Sequence, residues 1–218
     1  MTRKNSGFFA VSIFVILILN LYGQETRHFP ANRIKGTVKA ITLDSLLVSS
    51  ARLAESHPDS ALTLANAAYG MAINTNDNKS LAAAAKTIAD AWYYKNEYVN
   101  AITYYNESAD AALLAGNVND SGSYYADRIS DVAFCYMQLG IYEKAINLEG
   151  IALRINRRLD RLSETGSSLN NIGNNYFYLG QYDKAIQYLT KAHELDLQSG
   201  DSSDISVSLN NIGMVYSR

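Results

Sequence analysis

The chain has 218 residues and a formal net charge of −2, and 48% of its residues are apolar while 18% are charged. This length allows one or two domains, and the composition excludes a disordered or collagen-like chain. The nearly balanced charge does not indicate a nucleic-acid partner. Only two prolines and thirteen glycines interrupt the sequence, which favours long helices, so we expect an all-α fold.

The amino terminus has the layout of a secretory signal peptide. Arg3 and Lys4 precede an apolar run over residues 8–19, and Gly23 is a small residue suited to cleavage before Gln24. The run is shorter than the roughly 20 apolar residues that a membrane-spanning helix needs. An uncleaved anchor is the alternative.

We therefore divide the chain into a signal peptide over residues 1–23, a linker over 24–40 and a helical array over 41–218. The signal predicts an exported protein of the periplasm or cell envelope. Membrane attachment would come only from an uncleaved signal or from a downstream segment that this sequence lacks.

A turn string repeats along the array. Residues 140–146 and 180–186 are identical at five of seven positions, and weaker copies lie at 96–102 and 57–62. The alanines shared by the four copies, spaced 40, 44 and 40 residues apart, are Ala61, Ala101, Ala145 and Ala185. Such a period predicts stacked repeats, whereas an ordinary helical bundle has no reason to repeat a turn at fixed spacing.

A second string, Ser-Leu-Asn-Asn-Ile-Gly, begins at Ser168 and again 40 residues later at Ser208. In the first helix of each unit, a small residue is followed three positions later by an aromatic one, which puts both on one helical face. These pairs are Ala89 and Trp92, Ala133 and Tyr136, Gly173 and Tyr176, and Gly213 and Tyr216. The small residue allows a second helix to approach closely, so each unit should be a helical hairpin.

The turns and second helices of these hairpins have their own signals. Gly140 and Gly180 supply the left-handed conformation that ends a helix, and Asn96 takes the same place upstream. The second helices should open at Tyr98, Tyr142 and Tyr182, and seven residues after each shared alanine a further small residue extends the contact stripe, namely Ser108, Ala152 and Ala192. The single cysteine, Cys135, has no cationic neighbour in the sequence and should be a buried, unreactive apolar residue.

The spacing of Leu169, Ile172, Gly173, Tyr176, Leu179, Gly180, Tyr182, Ala185, Ile186, Leu189 and Ala192 resembles the tetratricopeptide repeat (TPR) signature. The 40-residue period is similar to that of kinesin light chain repeats and bacterial TPR sensor regions. HEAT repeats share the period but lack the turn. The resemblance implies a right-handed α-solenoid of antiparallel helical hairpins, with four units and the first helix of a fifth.

The two ends of the array depart from this pattern. In the first unit Pro58 replaces the tyrosine and Arg52 the aromatic residue, as capping repeats often do. The last helix, about residues 203–218, either caps the stack or belongs to a longer protein, and its faithful repeat string favours a fragment.

In this family the first helices of successive units line a concave groove. Carried onto this sequence, the groove positions are Lys86, Thr87, Asp90, Tyr93, Tyr94, Asp127, Ser130, Asp131, Phe134, Met137, Asn170, Asn171, Asn174, Phe177, Tyr178 and Asn211. Asparagine amides could pair with the backbone of an extended peptide, as the kinesin light chain resemblance implies. The alternative is that these amides bond neighbouring helices or water.

The charges in the groove limit the kinds of partner that we expect. Lys86 is the one basic residue among these positions, which disfavours a ligand held by its terminal carboxylate, while Asp90, Asp127 and Asp131 suit a partner with some positive charge. We therefore expect a protein or extended peptide as partner, and no nucleic acid.

Nothing in the sequence indicates catalysis, a metal or a cofactor. The histidines His28, His57 and His193 are scattered and have no metal-ligand spacing, and no phosphate loop or nucleophile motif occurs. We expect a protein- or peptide-binding scaffold. The alternative is the sensor region of a membrane histidine kinase or a transcriptional regulator.

Overall fold

The computed structural model describes residues 42–116 and 118–218, apart from the side chains of residues 118–121. The expected signal peptide and linker lie outside the described residues. The described chain folds into helices joined by short turns, as the composition predicted. These helices are α1 (Leu43–Leu53), α2 (Pro58–Thr75), α3 (Asn78–Tyr94), α4 (Tyr98–Ala115), α5 (Val118–Gln138), α6 (Tyr142–Arg158), α7 (Leu162–Tyr178), α8 (Tyr182–Ser199) and α9 (Ser202–Tyr216).

Each helix packs against the next one in the chain, and the short turns make consecutive helices antiparallel. Beyond these neighbours, α1 contacts α3, α5 contacts α7, and α7 contacts α9. Helices α3 and α5 meet through the rings of Tyr93 and Phe134. The odd-numbered helices therefore lie beside one another, and the hairpins α1–α2, α3–α4, α5–α6 and α7–α8 stack in order, followed by α9.

The shared alanines explain this close stacking. Ala61, Ala101, Ala145 and Ala185 are all 0% exposed. The second stripe, Ser108, Ala152 and Ala192, is equally buried, and Ser108 Oγ donates a hydrogen bond to the Ala82 carbonyl of α3 at 2.7 Å. Small side chains at these points let neighbouring helix backbones approach, which confirms the sequence interpretation.

The turns follow the predicted chemistry. Asn96, Gly140 and Gly180 have φ values of 60°, 73° and 72°, and each ends the first helix of a hairpin. The second helices α4, α6 and α8 begin at the expected tyrosines. Pro58 occupies the first position of α2, where its missing N–H costs nothing, so the atypical first unit still forms a hairpin.

The last helix, α9, covers Ser202–Tyr216 and begins at the side-chain cap of Asp201.

Cys135 is completely buried, as predicted, and burial followed by the charges of Asp131 and Asp90 raises the pKa of its thiol to about 12. None of the helices in the described chain has the length and apolarity required to cross a membrane.

Candidate functional site

An open cavity of about 240 Å³ lies where α3 and α5 face each other. Its lining residues are Asp90, Tyr93, Tyr94, Tyr105, Asp131 and Phe134. All but Tyr105 are groove positions from the sequence analysis, and they come from two first helices that are about 40 residues apart in the chain. The structure thus brings the predicted positions of the second and third units together in one place.

The floor of this cavity is a set of paired charges. Asp90 accepts hydrogen bonds from Lys86 Nζ at 2.6 Å and from the Tyr105 hydroxyl at 2.8 Å. Asp131 forms an ion pair with Arg128 Nε at 2.7 Å. The Arg128 side chain is only 9% exposed, whereas that of Lys86 is 38% exposed and can leave its partner easily.

The electrostatic environment of the floor is dominated by burial. Burial raises the pKa of Asp131 to about 6, although the positive charges of Arg128 and Lys86 oppose that shift. The pKa of the Tyr94 phenol is raised by burial and then by the negative charges of Glu55 and Asp90. The paired charges of the cavity floor therefore lie beside rings that are partly withdrawn from water.

The walls of the cavity are aromatic. Tyr93 meets Tyr94 edge to face with ring centroids 5.4 Å apart, and it meets Phe134 at 5.8 Å in a tilted arrangement. Tyr94 is 44% exposed and Phe134 is 36% exposed, so both rings offer surface to a ligand. Rings held in such contacts are rigid platforms that lose little entropy on binding.

A second polar cluster joins α5, α6 and α7. Glu149 is 1% exposed, and it accepts hydrogen bonds from Asn171 Nδ2 at 2.8 Å and from Ser130 Oγ at 3.2 Å. Asp127, another groove position, accepts a hydrogen bond from Arg161 at 2.8 Å. In this part of the groove several predicted contact side chains therefore bind other helices of the chain.

The remaining asparagines differ in their surroundings. Asn211 is 7% exposed and donates from Nδ2 to Asn170 Oδ1 at 2.9 Å, which joins α9 to α7. Asn174 is half-buried, and its side chain makes no hydrogen bond within the described residues. Asn174 is thus the asparagine whose amide is open to a partner.

Four groove positions remain to be described. Thr87 is buried and bonds to the Ala83 carbonyl of its own helix, so it does not reach the groove. Phe177 is half-buried and packs edge to face on Tyr178, while Tyr178 stacks on Tyr142 with centroids 5.4 Å apart. Met137 is half-buried near the end of α5.

Sequence reasoning missed Tyr105, Glu149 and Arg128. The repeat contains the signal for two of them: Ala65, Tyr105, Glu149 and Leu189 each lie four residues after a shared alanine. All four are buried, so this is a core position. The carboxylate of Glu149, at a position that is otherwise apolar or aromatic, predicts a buried charge with partners. Tyr105 reaches the cavity from α4.

Among the described residues there is no group of three histidine, cysteine or acidic side chains placed to hold a metal ion. His193 is half-buried, and its Nδ1 lies 2.9 Å from Ser208 Oγ, with which it shares a hydrogen bond. That contact places His193 between α8 and α9, away from the cavity-lining residues.

Residues 126–198 and 164–218 each match the sequence profile of the tetratricopeptide repeat family. Comparison with curated protein sequences gives no significant match.

Three solved structures illustrate the likeness of fold. One contains nearly identical TPR-like repeats from a Podosopora anserina protein described as a kinesin light chain, with 16% identity, a TM-score of 0.64, and coverage of 80% of this chain and 85% of that one. Another is aspartyl phosphate phosphatase F from Bacillus subtilis, with 16% identity, a TM-score of 0.73, and coverage of 79% and 45%. A third is a Rap protein complexed with Competence and Sporulation Factor, with 14% identity, a TM-score of 0.62, and coverage of 80% and 53%.

The chain therefore spans about half the length of the phosphatase and of the Rap protein. At these identities the likeness is one of fold alone. Residues 126–218 thus match the tetratricopeptide repeat family in sequence, and the repeated alanines and turns show the same hairpin repeat in the rest of the described array.

Proposed function

We propose that this chain is a scaffold that binds another protein, through an extended segment laid along the side formed by α3, α5 and α7. The observation that carries this proposal is the cavity between α3 and α5, where rigid, partly exposed aromatic rings surround a polar floor. Repeat arrays of stacked hairpins present extended surfaces suited to such ligands.

The groove is uneven along its length, and this shapes the proposal. Near α3 and α5 the exposed rings of Tyr94 and Phe134 offer apolar contact area. Near α7 the free amide of Asn174 and the exposed ring of Tyr178 can satisfy a peptide backbone and an apolar side chain. Asn171 and Asn211 serve the fold, since their amides already bond Glu149 and Asn170.

Binding is a better account than catalysis. The polar groups of the cavity are paired with one another, and the nearby thiol of Cys135 is buried with a raised pKa, which makes it a poor nucleophile. The phosphatase activity in the name of one structure of this fold belongs to that protein, and fold alone does not transfer activity.

We also propose that the chain is exported and acts in the cell envelope, either as a free adaptor or as the input region of a longer signal transducer. The support is the signal-like amino terminus, with Arg3 and Lys4 before the apolar run. Amino-terminal sequencing of the protein from fractionated cells tests export, and Gln24 is the expected first residue. Reading the gene beyond codon 218 separates the two forms: a membrane span followed by a kinase or DNA-binding domain would establish the transducer.

Site-specific photo-crosslinking tests the binding surface. A benzoylphenylalanine replacing Phe134 should form a discrete adduct with one protein in the native host cells. The matched control replaces Glu194, an exposed residue of the second helix α8. Adducts of the same kind from both positions, or none from Phe134, would contradict the assignment of the groove.

A further inference from the structure

The cavity between α3 and α5 combines four aromatic rings with two carboxylates, which is the chemistry that recognises an organic cation carried on an apolar stem. A lysine or arginine side chain has that form, since its methylene groups can lie along rings while its charged head meets a carboxylate. The question is whether the charges already present leave room for another cation.

The cavity floor holds two carboxylates and two cations. Asp90 and Asp131 face Arg128 and Lys86, so the four groups balance when all are in place. Arg128 is buried and fixed by its ion pair with Asp131, whereas Lys86 is held only by a partly exposed contact four residues along its own helix. Such contacts contribute little and are easily exchanged for another partner. Once Lys86 moves into water, the two carboxylates face only the guanidinium of Arg128. The cavity is then one positive charge short of neutrality.

The aromatic rings of the cavity also have no cation of the described chain over their faces. Elsewhere in the array the chain covers its own rings with cations: Lys144 Nζ lies 4.1 Å from the ring centre of Tyr136, and Lys184 Nζ lies 5.1 Å from that of Tyr176. Within the described part of the chain, no lysine or arginine lies over Tyr93, Tyr94 or Phe134. The partly exposed rings of Tyr94 and Phe134 are thus not covered by a lysine or arginine of the described chain.

We propose that this cavity seats one lysine or arginine side chain of the bound partner, whose cationic head replaces Lys86 on Asp90 while its stem lies against Tyr94 and Phe134. Lys86 acts as an internal stand-in that holds Asp90 until the partner arrives. This inference rests on the proposed binding function and names the side chain that the groove selects.

A pair of small probes tests the cavity without knowledge of the partner. Nα-acetyl-arginine amide and Nα-acetyl-citrulline amide have nearly the same shape, but only the first is charged. Each is titrated into the 218-residue protein while the aromatic ¹H–¹³C signals of Tyr93, Tyr94 and Phe134 are followed. The arginine probe should shift these signals and bind at least about tenfold more tightly than the citrulline probe, as expected for a partly desolvated cation–π and carboxylate site.

Three cavity variants and one control test which residues bind the arginine probe. Asp90→Asn should weaken the arginine probe at least about tenfold, because the neutral amide no longer attracts the cation. Lys86→Gln should tighten it about twofold, since the exposed competing pair is worth only that much. Asp183→Asn, at an exposed carboxylate in the first turn of α8, is the matched control and should change nothing. Tyr94→Leu keeps an apolar wall but removes a ring face, and should weaken the arginine probe while leaving the citrulline probe unchanged.

Equal affinity for the two probes, or full affinity in Asp90→Asn, would overturn the inference. These outcomes are separable from those of the cross-linking experiment. If cross-linking from position 134 captures a partner while the probes show no charge preference, the binding function stands and the cation site is wrong. If the probes behave as expected and no partner is captured, the cavity chemistry stands and the scaffold function is wrong.

Discussion

Glu149 is a carboxyl group enclosed by α5, α6 and α7, and burial raises its pKa to about 7 despite hydrogen bonds from Asn171 and Ser130 that lower it. The folded chain therefore holds a proton more tightly than the unfolded chain, whose glutamates titrate near pH 4.5. This group's contribution to stability is complete below that pH and is lost as the pH rises through about 7. We expect the free energy of unfolding to fall by about 2 kcal/mol between about pH 5 and pH 8, at about 1.4 kcal/mol per pKa unit.

Chemical denaturation across this pH range measures the effect, and the raised pKa of Asp131 should add to it in the same direction. Glu149→Gln should flatten the pH dependence, because an amide can keep the bonds to Asn171 and Ser130 without titrating. Glu143→Gln, at an exposed position of the same helix, is the control and should leave the profile unchanged. A profile that is equally steep in Glu149→Gln would assign the pH dependence to other groups.

The asparagines of α7 should separate stability from binding. Removing the Asn171 amide leaves an oxygen of buried Glu149 without its donor, so Asn171→Ala should lower the free energy of unfolding by about 1–3 kcal/mol. Asn174→Ala breaks no internal hydrogen bond and should change stability by less than about 0.5 kcal/mol. In the cross-linking assay, Asn174→Ala should still reduce partner capture. Equal stability of both variants would mean that the Glu149 cluster contributes nothing to the fold.

At the scale of a helix, the glycine of the Ser-Leu-Asn-Asn-Ile-Gly string has a crowded surrounding in one copy and an open one in the other. A Cβ atom added at Gly173 would lie 2.7 Å from Leu189 Cγ and 3.2 Å from the Ala185 carbonyl oxygen, whereas at Gly213 it would meet nothing within 4 Å. Gly173→Ala should therefore force α7 and α8 apart and cost about 1–3 kcal/mol. Gly213→Ala should stabilise α9 by up to about 1 kcal/mol, because alanine is the better helix former.

Thermal unfolding of the two variants, followed by circular dichroism, tests this contrast. A stabilised Gly173→Ala would show that α7 and α8 are not in the close contact that the structure shows. A destabilised Gly213→Ala would show that α9 has a neighbour on that face.

The elements could be predicted from the sequence because the repeat fixes them locally. Alanines 40 or 44 residues apart gave the interfaces, and the turn residues Asn96, Gly140 and Gly180 gave the ends of the first helices. The candidate site could be predicted only in part. Which groove side chains face outward follows from helical periodicity, but which of them are engaged by a neighbour depends on what the next helix carries, as with Asn171 and Glu149.

Positions contributed by the second helices were harder to foresee. Tyr105 reaches the cavity because the small residues around it bring α4 close under α3, so its hydroxyl can donate to Asp90. The sequence places Tyr105 at a core position of the repeat but does not show that the core opens there. Pairing of a buried polar group is a property of three helices at once, and no local pattern encodes it.

Across the whole array, contacts are made mainly between neighbouring helices, so stability should vary along the stack as a sum of local interfaces. The interior hairpins have buried clusters on both sides; one example is the set around Ala89, Tyr105 and Val132. Helix α9 buries only Ser208, Asn211 and Val215, while Leu209 is 51% exposed and Tyr216 is 78% exposed. Its opening should therefore require much less free energy than opening of α3 or α5.

Native-state hydrogen exchange of the 218-residue protein, read by mass spectrometry of peptides from each helix, tests this gradient. Amides of α9 should exchange at least about tenfold faster than those of α5, since about 1.4 kcal/mol of opening free energy corresponds to that factor. Gly213→Ala should slow exchange in α9 and leave α3 unchanged, because each interface responds to its own neighbours. Uniform exchange across all helices would instead show that the array opens as one cooperative unit, and the additive description of the stack would then be wrong.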